Sequence, residues 1–174
     1  AIITFMLAGV MITFQRTGLP YVVVLVDDSA SMTIADRYSD KELDERLKAR
    51  LKKAGFDEAS RINLAKMLLL ENDADLLRRI EERYRLKLYF LSGSERAGPS
   101  ELRELADAVR GASAEGTTSQ LGKGLRTVLA DLRGTPPAAI ILLSDGVTTE
   151  GEPLGEAAAY ARRKGVPCVY LWPP

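Results

Sequence analysis

The sequence predicts an α/β domain: an open, mostly parallel, Rossmann-like sheet with helices on both faces. Three observations lead there. The run YVVVLV at 21–26 is apolar at every position and rich in β-branched residues, as in a strand buried on both faces. Further short apolar runs follow at 86–91 (LKLYFL), 139–143 (AIILL) and 168–171 (CVYL). Helical patterns with recognisable stops lie between them, and strands alternating with helices pair in parallel through helical crossovers.

In chain order, residues 1–14 (AIITFMLAGVMITF) carry no charge, and the first charged residue is Arg16. A membrane-spanning helix needs about 20 apolar residues, so the run reads as the end of a transmembrane helix. The alternative is a strand or short helix packed on the domain, since residues 10–14 are also β-prone. No basic stretch precedes the run, which disfavours a cleavable signal peptide. Residues 1–19 therefore stand apart from a domain spanning 20–174. After the first strand comes a charged helical insertion at about 33–58. In its helix, 40–54, Leu43, Leu47 and Leu51 form one narrow stripe and Gly55 is the stop. Two more helical patterns, 61–71 and 74–83, are split by Asn72-Asp73. Helix 100–110 follows Pro99 and stops at Gly111, and helix 121–132 stops near Gly134. Helix 153–164 has Pro153 near its first turn and Gly165 at its end. The chain has no internal repeat and no low-complexity tract.

Length and composition set bounds on function. A chain of 174 residues suits one domain with its own core. Lys plus Arg equals Asp plus Glu, 24 each, so no global field recruits nucleic acid. Histidine is absent, which excludes His-based triads, His-type zinc sites and imidazole bases. The single cysteine, Cys168, cannot form an internal disulfide; its apolar surroundings predict a buried, inert thiol.

In open α/β sheets, ligands bind beyond the carboxyl ends of the strands. The loops after Val26, Leu91 and Leu143 are therefore the places to look. The first strand runs into Asp27-Asp28-Ser29-Ala30-Ser31-Met32, and the strand at 139–143 runs into Ser144-Asp145-Gly146. Both polar clusters fall on the same rim. Between them in sequence, Gly116-Thr117-Thr118-Ser119 precedes a helix. Carboxylates and hydroxyls without nitrogen or sulfur suit Mg²⁺, Mn²⁺ or Ca²⁺ rather than zinc or copper. Serine hydroxyls are weak ligands alone, but beside an Asp that accepts their protons they can turn lone pairs toward a cation. With few charged ligands the ion stays electrophilic, and an outside carboxylate can complete its coordination.

Asp27-x-Ser29-x-Ser31 after a hydrophobic strand, with Ser144-Asp145-Gly146 after AIILL, resembles the metal-ion-dependent adhesion site (MIDAS) of von Willebrand factor A (vWA) domains. The resemblance covers roughly residues 20–171. It implies that Asp27 holds the ion through water and orients the serines. Ser29 and Ser31 would be direct ligands, and Asp145 would coordinate directly or through water. The hydroxyl loop supplies another ligand. Reading Gly-Thr as the anchor selects Thr117; counting back from Leu121-Gly122 selects Ser119, the favoured choice, with Thr118 between them. Ser119 could also be no more than a helix cap, worth about 1 kcal/mol.

The resemblance further implies a Mg²⁺-dependent module, not an enzyme, that binds a protein partner offering a carboxylate. Similar arrangements occur in bacterial membrane-anchored members of the family, which fits the apolar start and implies the bacterial cell membrane, on either side. There are departures. The segment 33–58 is extra, 91–100 is short for the edge strand often found there, and the chain ends before a final helix and strand that the family usually has. Two rivals remain. One is a receiver-like phosphoryl-transfer domain built on Asp27-Asp28, for which no Lys follows a strand convincingly. The other is a structural vWA scaffold without a working metal site.

Overall fold

The computed structural model describes residues 18–92, 96–97 and 101–171. The apolar run 1–14 lies outside the described residues, so the expectations for it do too. Among the described residues no helix is long and apolar enough to cross a membrane.

The strand β1 (Tyr21–Val26) lies at the centre of a five-stranded sheet of order β3-β2-β1-β4-β5. It pairs in parallel with β2 (Arg85–Phe90) on one side and β4 (Ala139–Leu143) on the other. β5 (Cys168–Leu171) extends the sheet in parallel beyond β4. The two-residue β3 (Arg96–Ala97) closes the opposite edge, antiparallel to β2. The chain leaves β1 toward β2 and later crosses to β4 on the other flank. The loops after β1 and β4 therefore diverge at the crevice where the strand order reverses, the position that favours a ligand site.

β1 is apolar throughout because both its faces are covered. Successive side chains point to opposite faces. Val22, Val24 and Val26 join the core under α2 (Arg61–Glu81) and α3 (Leu102–Gly111), with Ile62, Leu69, Leu105 and Val109. Val23 and Leu25 join the core under α4 (Leu121–Asp131) and α5 (Leu154–Arg163), with Leu125, Val128, Ala157 and Ala161. Each such side chain contributes about 1.5–3 kcal/mol on full burial, so the first strand anchors both helical layers at once.

The charged insertion folds as α1 (Lys41–Lys53), capped by Asp40, whose carboxylate accepts from the amides of Glu42 and Leu43 at 2.9 and 3.2 Å. Leu47 and Leu51 are buried against Leu64 and Met67 of α2 in a small third core. Leu43, predicted on the same stripe, is 40% exposed. Glu42–Arg46 and Asp44–Lys48 pairs line the solvent side. The break expected at Asn72-Asp73 is present inside α2: Asn72, Asp73 and Ala74 have φ of 52°, 61° and 56°. Asn and Asp enter this left-handed region readily; for Ala it costs about 1–2 kcal/mol.

One sequence expectation fails. Cys168 is exposed rather than buried. An apolar run looks the same in a central strand and an edge strand. Among the described residues β5 is the edge, and Cys168, Val169 and Tyr170 are all exposed on it.

Candidate functional site

β1 ends by delivering Asp27 into the crevice beside β4, where it is fully buried. The backbone holds it there: Asp27 N–H donates to Leu143 O at 2.8 Å. Its Oδ1 accepts from the Ser29 amide at 3.0 Å, which turns the chain back over the carboxylate. Its Oδ2 accepts from Ser144 Oγ at 2.6 Å and Ser119 Oγ at 3.3 Å. Hydroxyls from two separate loops and an amide of its own loop thus converge around one carboxylate. Among the described residues no Lys or Arg pairs with Asp27; neutral donors alone serve this buried anion.

Ser29 precedes a single 3₁₀ turn (Ala30–Thr33), yet its side chain makes no capping bond. Ser29 Oγ meets Ser31 Oγ at 3.1 Å instead. That spacing is close to the edge, about 3 Å, of an octahedron built on metal–oxygen bonds of about 2.0–2.1 Å. Met32, fully buried in the α2-side core, pins the end of the turn. Gly116 brings the hydroxyl loop against this turn. Its N–H donates to Asp28 O at 3.0 Å and its carbonyl accepts from Ala30 N–H at 2.7 Å. A Cβ at 116 would stand 3.1 Å from Asp28 O, tighter than ordinary contact.

The structure separates the three candidate hydroxyls of the 116–119 loop. Ser119 is buried and bonds to Asp27. It is not a helix cap: position 120 holds the cap of α4 and makes no side-chain capping bond. Thr149 clamps Ser119 from the β4–α5 loop; the Ser119 amide donates to Thr149 Oγ1 at 2.8 Å, and Thr149 N–H donates to Ser119 O at 2.9 Å. Thr117 and Thr118 line a neighbouring cavity with Leu91, Gln120 and Lys123. Gln120 donates to Thr118 Oγ1 at 3.4 Å.

Asp145 reaches the same rim from β4, with its side chain fully buried. Its Oδ1 accepts from Val147 N–H at 3.0 Å and its Oδ2 pairs with Arg61 Nη1 at 2.9 Å. Gly146 has φ 76°, which lets the chain turn sharply beside Asp145. Tyr170 packs under this turn and donates to Ser144 O at 3.2 Å. Its phenol is held above the ordinary 10.0, first by burial and then by the negative charges of Asp145 and Asp27.

Asp28 points elsewhere. It accepts from the amide of Ser92 at 2.8 Å and, through a short bond, from the Ser92 hydroxyl beyond β2. Asp27 and Asp28 thus serve two different clusters.

Sequence reasoning treated Ser144 only as part of a strand–turn element. It passed over Arg61, Asp36, Ser92 and Thr149. Each of the last four acts across long sequence separation, 84 residues for Arg61 and Asp145, so no local pattern announces it. Among the described residues, no group of three or more His, Cys, Asp or Glu is gathered to hold a metal. A cation held here would rely mainly on hydroxyl oxygens, with Asp27 and Asp145 as the only carboxylates of the candidate set. Such an all-oxygen set suits a hard divalent ion.

No family model and no curated protein matches the chain. Two solved structures of proximal thread matrix protein 1 from the mussel byssus are similar in fold, with TM-scores of 0.54 and 0.55 at 16% identity. The match covers 88% of this chain and 38% and 37% of those chains, so the chain corresponds to well under half of their length. At that identity the likeness concerns the α/β architecture alone.

Proposed function

We propose that the chain is a metal-dependent protein-binding module of the von Willebrand factor A type. In this reading Ser29, Ser31 and Ser119 offer hydroxyl ligands, Asp27 acts through water, and Asp145 contributes directly or through water. Mg²⁺ is the expected ion, with Mn²⁺ or Ca²⁺ able to replace it. The observation that carries the reading is the environment of Asp27: a fully buried carboxylate with no cationic partner among the described residues, surrounded by hydroxyls. A buried charge is costly unless paired or bound to a metal. A divalent ion would supply the missing positive charge and a Lewis-acidic position for an oxygen anion. The protein's own part is to hold the hydroxyls in place and leave one approach for a partner's carboxylate. Membrane association through residues 1–14 belongs to the same proposal and rests on their composition alone.

Calorimetric titration with Mg²⁺ and Mn²⁺ tests it. The wild type takes up one ion, and Asp27→Ala abolishes the uptake. If the folded wild type takes up no ion at millimolar levels, the rim is a scaffold. That second reading has its own support, because the rim's hydroxyls and carboxylates already satisfy one another.

A further inference from the structure

The two acidic residues of the rim are compensated differently. Asp27 is served by neutral donors, whereas Asp145 pairs with Arg61. Arg61 opens α2, and its side chain is only 16% exposed. Nη1 donates to Asp145 Oδ2 at 2.9 Å and lies 3.5 Å from Ser31 O. Nε and Nη2 hold Asp36 in a two-pronged pair at 2.7 and 2.8 Å. One guanidinium therefore joins the charged insertion to the carboxylate and the serine turn of the candidate metal rim. The backbone fixes its root, since Arg61 N–H donates to Ile34 O at 3.0 Å.

We propose that Arg61 is a built-in counter-cation that competes with the divalent ion for Asp145, and that Asp36 is the second carboxylate that draws it away. The inference rests on the metal-binding reading above. Without an ion, Asp145 would be a fully buried anion, and Arg61 neutralises it. When an ion enters, two positive charges share one carboxylate and repel in a poorly solvated crevice. Asp36 gives the guanidinium an alternative bidentate partner. The pair thereby sets the affinity of the site: Arg61 lowers it, and Asp36 partly restores it. Arg61 is a positioning residue in this scheme, not a ligand.

The two ends of this ion pair should shift affinity in opposite directions, which a merely structural role would not produce. The experiment is calorimetric titration of the full chain with Mn²⁺ for wild type, Arg61→Gln, Arg61→Lys and Asp36→Asn, with thermal unfolding of each as the check on folding. Arg61→Gln is expected to bind Mn²⁺ about tenfold tighter or more, because one positive charge beside the ion is gone. Asp36→Asn is expected to bind several-fold more weakly, and Arg61→Lys to stay near wild type because the charge remains. Should Arg61→Gln fail to fold, the weakening in Asp36→Asn and the wild-type-like binding of Arg61→Lys decide the matter. Binding in Arg61→Gln no tighter than wild type, or Asp36→Asn tighter than wild type, overturns the proposal while leaving the metal reading intact. Absence of Mn²⁺ binding in every folded protein overturns both.

Discussion

Ser144→Ala isolates the support that the rim gives to Asp27. Ser144 is fully buried; its hydroxyl donates to Asp27 Oδ2 at 2.6 Å and accepts from Gly146 N–H at 2.9 Å. Removing it leaves the buried carboxylate with Ser119 at 3.3 Å and the Ser29 amide at 3.0 Å. A hydrogen bond to a charged group contributes about 1.5–3 kcal/mol. Gly146 is exposed, so water can satisfy its freed amide and adds little to the cost. For a domain of this size each kcal/mol moves the melting temperature by about 2–4 °C, so the variant should melt roughly 3–12 °C below wild type. The assay is thermal unfolding followed by circular dichroism in EDTA, which removes any contribution from a bound ion. Ser31→Ala is the control. Its hydroxyl is half-buried and, among the described residues, bonds only to Ser29 Oγ, so it should cost at most about 1 kcal/mol. If Ser144→Ala melts with wild type while Ser31→Ala falls, the burial argument for Asp27 is wrong.

Three further outcomes follow from the same geometry. Gly122→Ala puts a Cβ 2.1 Å from the Glu152 carbonyl oxygen. Overpacking of that kind costs about 1–3 kcal/mol, whereas Gly134→Ala, which meets open space, should melt with wild type in the same scan. The bond from Arg61 holds the Asp36 carboxyl below the ordinary 3.8. The stability it contributes is therefore present above that value and lost as pH falls through the lowered one, so Asp36→Asn should flatten the acid limb of a pH-dependent unfolding curve. Cys168 should react with a disulfide reagent without denaturant, because it is exposed, but slowly at neutral pH, because partial burial holds its thiol above the ordinary 9.0; a need for guanidinium would contradict the edge position of β5.

Much of the fold was legible because its signals are local. The continuous β-branched run of β1 reflects a strand covered on both faces. Gly55, Gly111 and Gly165 end or follow helices where the hydrophobic period stops. Asn72-Asp73 marked the left-handed break inside α2. Strand order was not legible, and Cys168 shows why: hydropathy reports an apolar run, not whether the sheet continues beyond it. At the rim, the sequence brought Asp27, Ser29, Ser31 and Asp145 to one edge through the strands that precede them. It left Thr117, Thr118 and Ser119 unresolved. Which hydroxyl faces Asp27 depends on how the loop enters α4, and that is set by Thr149, 30 residues from Ser119. The Arg61 bridge was out of reach for the same reason. It joins α2 to the end of β4, two elements whose proximity only the assembled sheet creates.

The most direct measurement is crystallography of the protein grown with Mn²⁺, using anomalous scattering to locate the ion. The account predicts one anomalous peak at the β1–β4 crevice, within bonding distance of the Ser29 and Ser31 hydroxyls, absent from crystals of Asp27→Ala. A folded wild-type protein whose rim shows no peak, or whose ion sits only elsewhere on the surface, would contradict it.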